Sequence, residues 1–316
     1  MAIDFITVDA PDRERSTPSD LLRKLNRSGR SLTYRRIVQQ RRVLRVMLTI
    51  LLVTGVLASG TRGLQAADLS GAAIKDSIER GCKFLISQQA AGGYWEIGSE
   101  SDRVGVSSLA VMALLNSGMS PQDERVKRGL NYLRSVSREP GTLGNHETYQ
   151  VSLLIMALAA AKETSVDAVR IAQHAQRIEN GQNKAGDGVG GWGYSLSTGS
   201  GRVDPSNSQF AVLALREAVD AGANVSPETW DRIRKYWERA QNGDGGWGYE
   251  NKKDSMPSKG SMTVAGIASL VICEQMLRTD DGVAADGTPP CCQGTEPNQP
   301  LAKGISWLSR NFAVGH

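Results

Sequence analysis

The sequence predicts an all-α protein: an α/α toroid, a double-layered ring of helical hairpins with four hairpins and part of a fifth. Three observations carry that prediction. A motif returns along the chain, amphipathic helical stretches alternate with apolar ones, and a Gly-aromatic turn joins each pair. Arg80-Gly81-Cys82-Lys83-Phe84-Leu85, then Gln88, then Gly93-Tyr94-Trp95, holds the motif most fully. Its first half returns as Gly129 to Leu133 and Gly304 to Leu308, each after a basic residue, Arg128 or Lys303. Its second half returns as Trp237, Gln241 and Gly245-Gly246-Trp247, and as Ile178, Gln182 and Gly190-Gly191-Trp192. The second unit keeps Gly141-Thr142-Leu143-Gly144 alone. Aligned on Phe84, Tyr132, Ile178, Trp237 and Trp307, the units step by 48, 46, 59 and 70 residues. Self-similarity at such periods marks a repeat architecture.

Each unit reads as two helices in order. The first is amphipathic, with Ile74, Ile78 and Leu85 on one face in the first unit and Val126, Leu130 and Leu133 in the second, so it belongs outside with one wet face. The second is apolar nearly all round and belongs inside: Ser107 to Leu115, Tyr149 to Ala161, Ser208 to Leu215 and Thr263 to Ile272. Gly118 and Gly222 suit helix C-termini, because glycine accepts the left-handed conformation found there. Residues 279–300, rich in Gly, Pro and Asp, read as a loop insertion before the fifth outer helix. Hairpins of this kind bury their apolar faces against neighbouring hairpins. Because Phe84, Gln88, Trp95, Tyr132, Trp192, Trp237, Gln241, Trp247 and Trp307 stand at repeated positions, they read as structural residues; a catalytic group is needed once.

These residues resemble the QW repeat of the terpenoid cyclase and protein prenyltransferase superfamily: basic-Gly-x-x-aromatic-Leu, then Gln, then Gly-x-Trp. Residues 72–316 carry the resemblance. It implies an α/α toroid whose apolar centre holds isoprenoid chains, as in squalene and hopene cyclases and prenyltransferase β subunits.

The chemistry implied by that resemblance needs residues of its own. Triterpene cyclases start by protonating an alkene with an Asp-x-Asp-Asp run, because that attack demands a strong acid in a water-poor cavity. The matching run here is Asp204-Pro205-Ser206-Asn207. Serine stands at the proton-donating position, and Asp204 reads as a helix N-cap. The other units offer Arg103 to Val106, Glu147 to Gln150 and Lys259 to Met262, none with the paired carboxylates. Prenyltransferases need zinc on Asp, Cys and His; the chain has three histidines, His146, His174 and His316, and lacks the Asp-x-Cys pair before an inner helix. Asp280, Asp281 and Asp244 sit in loops as weak magnesium candidates, and Asn242 to Gly245 lacks the later glutamate of a calcium loop. Neither a metal nor a cofactor is expected. His146, Glu147 and Asp204 are the candidate catalytic residues if an acid or base site has been rebuilt, although a surface pair of His146 and Glu147 is the plainer reading.

Residues 1–45 are basic and lack a core pattern. An apolar run, Val46 to Ala58, follows Arg41-Arg42-Val43-Leu44-Arg45, and small residues at Leu64-Gln65-Ala66-Ala67 suit cleavage. As a helix the run covers about 20 Å, less than a hydrocarbon core of about 30 Å. Residues 46–67 therefore read as a signal peptide, with an uncleaved signal anchor as the alternative, and the protein is expected in the periplasm or outside the cell. Residues 1–66 hold 12 of the 37 Lys/Arg and 5 of the 33 Asp/Glu, leaving 25 against 28 in the remainder. The basic balance belongs to the leader, and nucleic-acid binding has no support. The disulfide state of Cys82, Cys273, Cys291 and Cys292 is left open by spacing.

The sequence supports three functional readings. The first is an exported repeat protein that binds an apolar or isoprenoid-like molecule, or a protein partner, without cyclase chemistry. The second is a divergent terpenoid cyclase or prenyltransferase. The third is a scaffold module of a larger envelope protein, in which a partner or a further domain covers the gap in the ring.

Overall fold

The computed structural model describes residues 70–137, 143–144, 146–197, 202–278 and 298–312. The expectations for residues 1–67, Gly141, Thr142, Asp280, Asp281, Cys291, Cys292 and His316 lie outside these residues. The chain separates into two units, residues 1–75 and 76–316, and the helical body is the second of these. Among the described residues the structure is all-α: nine α-helices, one short 3-10 turn at Glu100–Asp102, and no strand. The helices are α1 (Gly71–Ser87), α2 (Arg103–Asn116), α3 (Glu124–Val136), α4 (Glu147–Ala160), α5 (Thr164–Asn180), α6 (Pro205–Asp220), α7 (Pro227–Ala240), α8 (Gly260–Leu277) and α9 (Gln299–Asn311). The loop expected over 279–300 thus ends two residues early, because Asn298 caps α9 by accepting from the Leu301 amide at 3.0 Å.

Local chemistry fixes the helix ends. Asp123, Asp204 and Ser226 cap α3, α6 and α7 with side-chain oxygens, and Pro205 and Pro227 stand just inside, where no amide is missed. At the other end, α2 and α6 close through Gly118 and Gly222 in the left-handed region, with Met119 N donating to Leu114 O at 3.2 Å and Ala223 N to Ala218 O at 2.9 Å. In α4 the same position is Lys162, whose φ is 55°.

The even-numbered helices pack in a row, α2 on α4, α4 on α6 and α6 on α8. Outer helices lie against it: α3 on α2, α5 on α4 and α6, and α7 and α9 on α8. In the middle of the row α4 is buried continuously from Gln150 to Leu158. Leu114, Leu130, Leu133, Leu154 and Ile155 are fully enclosed, and each contributes about 1.5–3 kcal/mol relative to exposure.

The register of the repeat differs from the one drawn from sequence. The indole Nε1 atoms of Trp95, Trp192 and Trp247 donate to the carbonyls of Leu85 (2.7 Å), Ile178 (2.7 Å) and Trp237 (2.8 Å). Leu85, not Phe84, is therefore the equivalent of Ile178 and Trp237, and Leu133 and Leu308 replace Tyr132 and Trp307 in the series. Burial explains the choice: Leu133 is enclosed, whereas Phe84 is 64% exposed. Gln88 shifts with it. Gln89, four residues after Leu85, holds the place of Gln182 and Gln241, while Gln88 donates to the Ser87 hydroxyl on an exposed surface.

The three true equivalents make one joint. Gln89 Nε2 donates to Gly93 O (3.0 Å) and Arg125 O (2.8 Å), Gln182 to Gly190 O and Thr229 O (both 3.2 Å), and Gln241 to Gly245 O (2.9 Å) and Pro300 O (2.7 Å). Each amide ties the turn of its own unit to the first turn of the next outer helix. Gly93, Gly190 and Gly245 have φ of 87°, 92° and 97°, and a Cβ on any of them would collide with the carbonyl of Arg128, Arg232 or Lys303. Only glycine fits both demands. Arg128 and Arg232 also donate to Oε1 of Gln89 and Gln182, at 2.8 and 2.6 Å, which orients the amides.

The second unit lacks the tryptophan, and its neighbours change accordingly. In α3 and α9 a Cβ on Gly129 or Gly304 would strike the ring of Trp95 or Trp247. At the same position α5 carries His174, 7% exposed, which occupies space that no indole claims. Ser137 replaces the joint glutamine. Val151 replaces the hydroxyls of Ser107, Ser208 and Thr263, which elsewhere accept from the tryptophan amides at 2.9, 3.0 and 3.2 Å.

Candidate functional site

Chemistry-bearing side chains gather where the inner helices begin. Trp192 O accepts from Asp204 N at 3.1 Å and Trp247 O from Lys259 N at 2.8 Å, so these two Gly-Trp turns are tied to the start of their inner helices. Tyr194 O and Gly193 O also accept from the Thr148 amide (3.0 Å) and hydroxyl (2.6 Å). That contact satisfies a donor at the open end of α4 and places the third unit's turn over the second unit's inner helix.

The third residue of each acid-like run then lines up. These are Gly105, Tyr149, Ser206 and Ser261. Tyr149 donates from its phenol to Ser206 Oγ at 2.7 Å, and Ser206 Oγ donates to Asp204 Oδ1 at 2.6 Å. Asp204 accepts further from Asn207 N (2.9 Å) and Asn207 Nδ2 (2.7 Å). Tyr249 and Ser261 make a parallel hydroxyl pair at 3.3 Å. Aromatic rings surround the relay, with Tyr149 packed edge-on against Phe210 at 4.9 Å and Tyr194 at 6.0 Å from Tyr149 and 5.5 Å from His146. Burial pushes the Tyr149 phenol up to about 12, which makes it a poorer acid than an ordinary tyrosine.

The three residues singled out as catalytic candidates have separate partners. His146 Nδ1 meets Asp102 Oδ1 at 2.8 Å. Glu147 pairs with Arg177 and accepts from Leu196 N at 2.7 Å, tying α4 to α5 and to the loop after Tyr194. Asp204 caps α6. Both of its oxygens accept hydrogen bonds, Oδ1 from Ser206 Oγ and Asn207 N and Oδ2 from Asn207 Nδ2. Sequence reasoning passed over Tyr149 as a partner of Ser206. The signal was present in the alignment of the four runs, since both occupy the same column.

Below this polar end, α2, α6 and α8 each carry an exposed or half-buried apolar stripe, while α4 between them is closed. Val106, Leu109 and Ala113 form it in α2, Phe210 and Leu213 in α6, and Val264, Ala268 and Val271 in α8; Leu109 is 44% and Val264 46% exposed. The spacing of three and four residues keeps each set on a single stripe. At the opposite, C-terminal ends of α2, α4 and α6 lie two clefts of about 430 and 590 Å³, which share Lys162 and Glu163 and contain none of the candidate residues.

Among the described residues no group of three His, Cys, Asp or Glu could hold a metal ion. The loop with a superficial calcium pattern is closed internally: Gly243 N donates to Asp254 Oδ1 at 2.7 Å, Asp254 N to Asn242 Oδ1 at 2.7 Å, and Trp307 Nε1 to Asp244 Oδ2 at 2.9 Å. Burial lifts the Cys273 thiol to about 12, which removes it as a thiolate ligand or nucleophile. Comparison of the chain with protein-family models and with curated proteins finds no match in either.

Proposed function

We propose that this chain is an exported repeat protein of the terpenoid cyclase and prenyltransferase type, an α/α toroid in architecture, which holds an apolar, isoprenoid-like chain without cyclase chemistry. The observation that carries this reading is the composition of the inner row: hydroxyls, Tyr149, Ser206 and Ser261, stand where a cyclase needs its acid, above apolar inner helices of which α2, α6 and α8 keep exposed or half-buried apolar residues. Hydroxyls and tyrosine rings suit the contact of a polar head, and the apolar residues suit a hydrocarbon tail. The row α2, α4, α6, α8 with outer helices against it supports the ring. Export rests on Val46 to Ala58 and the small residues before Ala67, which are outside the described region.

A direct test is retention of radiolabelled squalene and farnesyl diphosphate by the purified chain, with products followed by mass spectrometry. Squalene is expected to be retained and recovered unchanged, and Leu109→Asp with Val264→Asp is expected to reduce retention by about tenfold. Absence of retention overturns the reading. So does a cyclised or transferred product that disappears in Asp204→Asn.

That last outcome would establish a second reading, a divergent enzyme using His146, Glu147 and Asp204. One observation favours it: His146, Tyr194, Tyr149, Ser206 and Asp204 form a continuous series of ring and hydroxyl contacts.

A further inference from the structure

Every Gly-Trp turn in this molecule sits on the outer helix of the next unit, and that seat has a constant form. It offers a carbonyl to the glutamine amide (Arg125, Thr229, Pro300) and a second carbonyl beneath the turn glycine (Arg128, Arg232, Lys303). On α3 and α9 it adds a glycine that admits the indole (Gly129, Gly304). Helix α1 repeats the series with Ser77, Arg80 and Gly81.

Among the described residues nothing occupies this seat on α1. A Cβ on Gly81 would meet nothing within 4 Å. Arg80, whose counterparts hold a glutamine amide, turns to Asp76 and to Ser77 Oγ at 3.0 Å. Ile78 is 48% exposed where its counterpart Val126 is fully buried. The three described Gly-Trp turns are engaged on α3, α7 and α9, and none of the six tryptophans, Trp95, Trp192, Trp230, Trp237, Trp247 and Trp307, stands in residues 1–69 or 279–297. A second copy has its three turns engaged on α3, α7 and α9.

We propose that the Ser77 to Gly81 face of α1 docks a Gln-x-x-x-Gly-x-Trp turn presented by a partner polypeptide. Main-chain carbonyls would receive the glutamine amide, the left-handed glycine would lie on Arg80 O, and the indole would cover Gly81 and Ile78. This proposal does not rest on an isoprenoid ligand, so the two stand or fall separately.

The test titrates the full chain into a fluorescein-labelled peptide of residues 240–250, the molecule's own Trp247 turn, and reads anisotropy. Saturable binding is expected, weakened by about tenfold or more in Gly81→Leu and equally by Trp247→Ala in the peptide. Leucine is a good helix former in open space, and circular dichroism checks that the variant folds. The proposal is overturned if binding does not saturate, if Gly81→Leu binds as well as the parent, or if the alanine peptide matches the tryptophan peptide.

Discussion

Arg134 on α3 reaches across to Glu163 and to Asp167 on α5, and Asp167 is wholly enclosed. A carboxylate in that position depends on its guanidinium, and the guanidinium is in turn held charged, its pKa raised chiefly by the hydrogen bond to Asp167. Arg134→Met leaves Asp167 with Arg170 at 3.7 Å as a remaining cation, and the expected loss in urea unfolding is about 3 kcal/mol. His174 gives a pH dependence. Its pKa is lowered to about 4, first by burial and then by Arg177, against about 6.5 in the unfolded chain. The unfolded state therefore binds the proton first as pH falls, so this contribution is complete above pH 6.5 and is lost between pH 6.5 and 4. The loss is about 2–3 kcal/mol. Replacing His174 with Phe should flatten melting temperature against pH across that window. At this scale the sequence was only partly legible. Asp204 shows its cap in the spacing to Asn207, but the burial of Asp167 and His174 comes from neighbours far along the chain.

Helix identity was readable because periodicity reports it directly; the joint register was not. Phe84 and Trp307 attract attention as aromatics, yet the chain half-buries Leu85 against the core and leaves Phe84 wet, and the distance from Gln241 to Trp247 already matches Gln89 to Trp95 better than Gln88. The joints and helix ends set two predictions at the scale of the element. Gly129→Ala places a methyl against Val111 and Trp95 and should cost about 1–3 kcal/mol, whereas Gly81→Ala in α1 should add about 0.5–1 kcal/mol of stability; thermal melts of the pair measure both. Lys162 occupies the left-handed position that Gly118 and Gly222 fill elsewhere, so Lys162→Gly should raise stability by about 1 kcal/mol.

For the whole molecule, protection is expected to follow position in the row. Helix α4 has neighbours on three sides in α2, α5 and α6, while α1 has no buried residue. Amide exchange should therefore be slowest in α4 and fastest in α1, with α9, which packs chiefly on α8 among the helices, also fast, since outer helices with few neighbours open locally at little cost. Uniform protection across the nine helices would contradict this order. The candidate site is legible in sequence only as substituted columns, because Ser206 and Tyr149 have meaning once α4 and α6 lie side by side.

The glutamine joints have one more consequence. Their amides end on the carbonyls of Arg125, Thr229 and Pro300, residues whose side chains share nothing. A fastening that reads main chain leaves the side chain of the accepting residue free to vary. Transfer of a whole hairpin therefore keeps the amide fastening, while each indole still needs its own seat, Gly129 on α3 for Trp95 and Gly304 on α9 for Trp247.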